Sequence, residues 1–217
     1  MTEEEKHARQ SLIDACLQLN NKGLNHGCSG NASIRWGEGL LITPTGMAYE
    51  ALQPEDIVEL DFDGRVKSGQ RKPSSEWLFH AAILKVRPEL AAVLHAHSPR
   101  ATALAVHGRE LPPFHYMIAV AGGHNIRCAP YATFGTKELA DNAVLAMNGR
   151  KACLLANHGL LTAGVDITDA FMVLQEIETL CGVYMDACQL GQPVLLSEEE
   201  MARVVDKFSD YGKQDET

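Results

Sequence analysis

Apolar residues recur along this chain at two spacings, and the alternation between them sets out its elements. Over 4–22, Ala8, Leu12, Ala15, Cys16 and Leu19 repeat every three or four positions and the run stops at Gly23, which predicts an amphipathic helix ended by a glycine. Short apolar runs follow at 32–36, 40–43 and 57–62, the last joined through Asp63-Gly64 to 65–67. Asp-Gly supplies the positive backbone angles of a tight turn, so the pattern predicts antiparallel strands with a hairpin. Leu78, Ala81, Ala82 and 84–86 predict a helix ending before Pro88, and 91–97 reads as a strand. Ser98 and Pro99 then open a short helix to Val106, closed by Gly108. Prolines place 111–117 on a loop. A strand is expected near 126–129, and a helix over 136–147 with Leu139, Ala143, Leu145 and Ala146 partly buried. Strands at 152–156 and 160–163 bracket Asn157-His158-Gly159. The longest helix, 168–190, ends at Gly191 and Pro193, and Ser197 to Glu200 form a capping box for a last helix to 208. The remaining tail, 209–217, is polar except for Tyr211. Mixed α and β elements without a repeat or linker predict one domain over 1–217.

Composition narrows the class. The 46% hydrophobic content is ample for a substantial core, and a net charge of −9 argues against a nucleic-acid partner, since phosphate backbones reward clustered Lys and Arg. No apolar run approaches the roughly 18 residues of a membrane span, and the acidic start is unlike a signal peptide. Six dispersed cysteines without a CxxC pair suit reduced thiols, so a cytoplasmic protein is expected. Cys181 and Cys188 share one face of the long helix and are read as core or interface residues.

The chemistry gathers around His95-Ala96-His97. Residues two apart in a strand point the same way, so both imidazoles would aim at one place. Nine histidines in 217 residues give about 0.4 such pairs by chance, so the pair alone is weak. His158, in a similar setting at the end of an apolar run, strengthens it: three imidazoles with an open fourth position describe a catalytic zinc, and a carboxylate could complete the set. Ser74 and Ser75, with the free N–H groups of a helix start, make either an anion site or a plain cap, and Glu76 follows as a first-turn acid favoured by the dipole there. His80, one turn on, is a rival ligand or a core histidine. The Gly-rich loop 25–31 is either an ordinary turn or a nest of N–H groups for an anion. A second small polar loop lies at Pro44-Thr45-Gly46, and the loop position of His115 and Tyr116 favours chemistry over packing.

Together, Gly30-Asn31, Thr45-Gly46, Pro73-Ser74-Ser75-Glu76, His95-Ala96-His97, His115-Tyr116-Met117, Ala129 to Thr136 and Asn157-His158-Gly159 resemble the class II aldolase/epimerase family, over nearly the whole chain. The His-Tyr-Met loop and the tail tyrosine look like its fuculose-phosphate branch. The resemblance implies a three-layer α/β/α domain around a central, mostly antiparallel sheet, assembled as a homotetramer with sites at subunit contacts. It implies one zinc per subunit on Glu76, His95, His97 and His158, and a sugar phosphate held by Gly30, Asn31, Thr45, Gly46, Ser74 and Ser75. Glu76 would move a proton beside the substrate carbonyl, Tyr116 would serve the aldehyde oxygen, and Tyr211 of a neighbouring subunit would help close the site. The implied reaction is reversible cleavage of a ketose 1-phosphate, such as L-fuculose 1-phosphate, to dihydroxyacetone phosphate and a small aldehyde. Relatives acting on 5-deoxyribulose or 5-methylthioribulose 1-phosphate, and pentulose-phosphate 4-epimerase, decarboxylase or dehydratase chemistry on the same metal site, are the alternatives. A cytoskeletal relative shows that the fold also occurs without activity, although this chain keeps all four candidate ligands.

Overall fold

A computed structural model describes residues 1–67 and 70–208. The elements follow in the order α1 (Glu3–Asn21), β1 (Asn31–Trp36), β2 (Gly39–Ile42), β3 (Val58–Asp61), α2 (Trp77–Val86), β4 (Ala92–Ala96), α3 (Pro99–Ala105), β5 (Cys128–Ala129), α4 (Lys137–Ala146), β6 (Ala152–Leu155), β7 (Gly159–Gly164), α5 (Ile167–Leu190) and α6 (Glu198–Phe208). Seven strands form one sheet in the order β3-β2-β1-β4-β7-β6-β5. Every neighbouring pair is antiparallel except β5 and β6, which are parallel. That exception has a simple cause: two parallel strands need a crossover, and α4 supplies it.

Strand alternation divides the apolar side chains between two cores. On one face Leu94, Leu154 and Leu160 join Leu12 and Leu19 of α1, Leu104 of α3, Leu174 and Ile177 of α5 and Met201 of α6. On the other, Val93, Leu155 and Leu161 join Phe79, Ile83 and Leu84 of α2 and Leu139 and Ala143 of α4. The result is three layers, helices on both sides of a mostly antiparallel sheet. Each fully buried leucine contributes about 1.5–3 kcal/mol. None of the described helices is long and apolar enough to cross a membrane.

Several expected details differ. The return strand at 65–67 shrinks to a single bridge, Leu60 to Val66, because Gly64 turns the chain beside Trp77. The segment after the His-Tyr-Met loop winds into a 3-10 helix, Tyr116–Ala121, capped where the His115 ring accepts from the Met117 N–H. Leu145, expected to be partly buried, is exposed, since α4 turns that position away from the sheet. Of the cysteine pair on α5, Cys181 is in the core and Cys188 is exposed, because only the first two-thirds of α5 lies on the sheet. Tyr211 lies outside the described residues.

Candidate metal centre and active-site cavity

The centre forms where β4 leaves the sheet. His95 is the next-to-last residue of β4 and His97 the first residue after it in the turn into α3, so both project on one side. That turn is pinned by the buried Glu178 carboxylate, which accepts the Arg100 and Ala101 N–H groups, each at 2.8 Å, at the start of α3. The His97 N–H is held by Asn25 Oδ1 at 3.1 Å. His158 enters from the turn between β6 and β7, which Asn157 makes in the left-handed conformation at φ 54°. Gly159 lets β7 begin against the histidines, because a Cβ there would lie 2.7 Å from the Ala96 carbonyl and 3.0 Å from the His97 ring. The three rings form a nearly equilateral triangle with centroids 4.7, 4.9 and 5.1 Å apart, and one ring nitrogen of each lies within 4.8 Å of the others.

Glu76 faces this triangle. The structure makes it the residue preceding α2, not a member of its first turn, and its carboxylate points away from that helix's own N–H groups. Oε2 accepts from Asn31 Nδ2 at 2.9 Å and lies 3.5 Å from His95 Nε2, while His158 Nε2 is 3.2 Å from Oε1. Burial alone would raise this carboxyl, but the pull of the His95 and His158 imidazoles and the Asn31 hydrogen bond outweigh it and hold it near 2, ionised. Burial is also the main reason that His95 is pushed down to about 3 and His97 below its usual range, which keeps both rings neutral and able to ligate. His95 Nδ1 lies 3.1 Å from the Leu160 carbonyl, which can only accept, so Nδ1 carries the proton and Nε2 presents a lone pair to the centre. His95 Nε2, His97 Nε2 and Glu76 Oε1 are buried without a hydrogen-bond partner. Orphaned atoms of this kind from two histidines and a carboxylate, with His158 converging beside them, fit a tetrahedral divalent metal.

Beside the centre opens a cavity of about 450 Å³. Its lining includes all six residues expected at the phosphate, Gly30, Asn31, Thr45, Gly46, Ser74 and Ser75, together with Glu76, His97 and His158. Sequence-distant loops meet here because Thr45 N–H donates to Lys72 O and Ser74 N–H to Thr43 O, at 3.1 and 3.0 Å. Gly30 has no room for a side chain: a Cβ would lie 2.7 Å from the His95 carbonyl, and Tyr49 Oη donates to the Gly30 carbonyl at 2.5 Å. Among the described lining residues none is Lys or Arg.

Of the residues weighed from the sequence, the structure keeps His80 and Tyr116 apart from this group. His80 is not with the ligands; it is fully buried under them, its nitrogens 2.7 Å from Ser33 Oγ and 2.5 Å from Asn31 Oδ1. Tyr116 is half exposed and lies outside the cavity lining. Conversely, Cys28, Tyr131 and Phe134 line the cavity without having been singled out. The exposed aromatics near the loop at 129–136 were the available signal: Tyr131 and Phe134 stand 60% and 63% exposed, more than packing explains.

A family model described as Class II Aldolase and Adducin N-terminal domain matches residues 10–185. The chain belongs to the class II aldolase family. It is 50% identical, over 94% of its length and 92% of the other's, to a 5-methylthioribulose-1-phosphate/5-deoxyribulose-1-phosphate aldolase of Rhodospirillum rubrum. It is 46% identical, over 97% of each chain, to the L-fuculose phosphate aldolase of Escherichia coli. Among solved structures an L-fuculose 1-phosphate aldolase superposes with a TM-score of 0.91 at 41% identity, covering 96% of this chain and 98% of that one. This class II aldolase is therefore a lyase of a metal-dependent family, with a three-histidine group able to take the metal.

Proposed function

We propose that this class II aldolase uses zinc to cleave, reversibly, a ketose 1-phosphate of the L-fuculose 1-phosphate kind into dihydroxyacetone phosphate and a small aldehyde. The observation that carries this reading is the convergence of His95, His97, His158 and Glu76 beside a cavity whose lining includes the small, neutral hydrogen-bonding residues Asn31, Thr45, Ser74 and Ser75. A metal held by those four residues supplies the Lewis acid that a carbonyl needs while the carbon–carbon bond beside it breaks. The rest falls to the chain's own groups. Asn31, Thr45, Ser74 and Ser75 bind the phosphate, with Gly30 and Gly46 shaping the loops. The C4 hydroxyl gives up its proton, the C3–C4 bond breaks with its electron pair moving toward the C2 carbonyl, and Glu76, ionised at rest, takes up one proton from water and delivers it to C3.

Tyr116 hydrogen-bonds the C4 oxygen and relays its proton to water, passing on the phenol proton as it takes the other, so the proton released at C4 balances the one taken up at C3. Because Tyr116 is half exposed and outside its own chain's cavity, we assign it to the site of a neighbouring copy in a homotetramer, with Tyr211 closing the same site. Residues 1–217 act as one domain, and the free cysteines suit a cytoplasmic enzyme. The aldolase names of relatives at 46–50% identity favour aldol cleavage over epimerase, decarboxylase or dehydratase chemistry. The Rhodospirillum rubrum relative at 50% identity favours a second substrate reading, 5-deoxyribulose or 5-methylthioribulose 1-phosphate, with the same bond cleaved.

The test is dihydroxyacetone phosphate release from a panel of ketose 1-phosphates by metal-loaded and chelator-stripped protein. Release led by L-fuculose 1-phosphate, abolished by stripping and restored by zinc, is the expected result. Release led by 5-deoxyribulose 1-phosphate would replace the substrate, and silence from zinc-loaded protein would overturn the reaction.

A further inference from the structure

Four buried side chains run in a line from the sheet to the metal centre. Ser33 Oγ lies 2.7 Å from His80 Nδ1, His80 Nε2 lies 2.5 Å from Asn31 Oδ1, and Asn31 Nδ2 lies 2.9 Å from Glu76 Oε2. Ser33 and His80 are fully buried, and Asn31 and Glu76 are 4% and 5% exposed. Three elements contribute, β1 with Ser33 and Asn31, the residue preceding α2 with Glu76, and the second turn of α2 with His80.

The chemistry at the carboxylate end gives this line one direction. An ionised carboxylate only accepts, so Asn31 must turn its amide nitrogen to Glu76 and its carbonyl to His80. A carbonyl only accepts, so His80 carries its proton on Nε2. A buried imidazole with no acid in contact is neutral, so Nδ1 has a lone pair and the Ser33 hydroxyl donates to it. Every hydrogen bond in the line therefore points towards Glu76. An amide nitrogen has two hydrogens, so an Asn31 fixed in this sense donates to Glu76 and can donate its second N–H to a phosphate oxygen in the cavity it lines. With the amide reversed, its carbonyl would meet both the carboxylate and the phosphate.

We propose that His80, held as the Nε2–H tautomer by Ser33, is a positioning residue that locks the Asn31 amide and so couples the phosphate loop to the carboxylate at the metal centre. It touches neither metal nor substrate. The proposal rests on the reading of Asn31 as a phosphate contact and of Glu76 as the reactive carboxylate.

Two measurements test it. Long-range nitrogen–proton NMR of the zinc-loaded wild-type protein, labelled in histidine, should show His80 with a protonated Nε2 and a bare Nδ1. A proton on Nδ1 overturns the proposal whether or not any variant folds. Titration with inorganic phosphate should show His80→Phe, which keeps the ring's bulk without the donor, weakened about tenfold, the worth of one well-aimed hydrogen bond to a charged group. His80→Gln, whose amide nitrogen reaches about as far as Nε2, should recover to within about threefold, and both variants should retain bound zinc. Phosphate affinity in folded His80→Phe equal to wild type, or equal losses in both variants, would reduce His80 to a filler of the core. Wild-type protein that binds no phosphate would sink both the phosphate-loop reading and the coupling, whereas a silent substrate panel with these phosphate results intact would sink the proposed reaction alone.

Discussion

Two histidines of this molecule have the same burial and opposite fates. His95, near the end of β4, and His80, on the second turn of α2, are both fully excluded from solvent, and burial pushes both down to about 3. His80 has both ring nitrogens partnered by protein, whereas His95 spends one on Leu160 and leaves the other facing Glu76 without a hydrogen bond. Burial and perturbed acidity thus fail to tell a ligand from a structural residue; the unspent lone pair does. A saturated histidine orients its neighbours, and an unsaturated one waits for a cation.

The sharpest way to break that contrast is to delete the unsaturated ring. His95→Ala should abolish zinc retention, read by elemental analysis, and lower aldol turnover by about 10⁴-fold, the order expected on losing a Lewis acid worth several kcal/mol. Zinc retained at one per chain would show that the orphaned nitrogen is no ligand. Glu76→Gln comes next. It keeps the size and the Asn31 contact but cannot carry a proton, so turnover should fall about 10²- to 10³-fold with zinc still bound. Survival of turnover with the metal in place would remove Glu76 from proton transfer.

The saturated side of the comparison predicts smaller effects. Ser33→Ala leaves His80 Nδ1 without a donor in a dry interior, which should cost about 1–3 kcal/mol in thermal or denaturant unfolding while zinc content stays unchanged. An unchanged unfolding midpoint would mean that the ring finds another partner and that its direction is not fixed. The smallest effect concerns the thiols, three of which share the burial of these histidines. Cys28 and Cys188 should label readily, whereas Cys16, with its thiol pushed up to about 12 by burial, and Cys153 and Cys181, raised in the same way, should label only on unfolding. Fast labelling of Cys181 in the folded protein would show that the core near the far end of α5 opens.

The same contrast explains what could be read from sequence. Helices with regular spacing, such as α1 and α5, and the strand bearing His95 and His97 announce themselves because their periods are local. The parallel strand β5 has only two residues, and a proline-rich approach hid the turn at Tyr116–Ala121. Glu76 was visible as an acid near a helix start, but whether it caps its own helix or faces away depends on Asn31 and the histidines, between 19 and 82 residues distant in the chain. His80 was ambiguous for the same reason: its partners Ser33 and Asn31 lie 47 and 49 residues back. Tyr116 shows a limit of another sort, since it lies outside its own chain's cavity lining and the role proposed for it needs a neighbouring copy.

The register of the sheet carries one more consequence. Asn31 and His95 are directly opposed partners on β1 and β4, and Gly30 lies so close to the His95 carbonyl that no side chain fits between them. The loop assigned to the phosphate and the strand assigned to the metal are thus separated by one strand spacing, about 5 Å, fixed by backbone and not by any adjustable side chain. This is a ruler for one end of the substrate. On the proposed function that spacing suits a phosphate one carbon from the carbonyl, while Tyr131 and Phe134, which also line the cavity, stand in the open. On the proposed function, chains of this build keep the 1-phosphate constant and vary the remainder of the sugar.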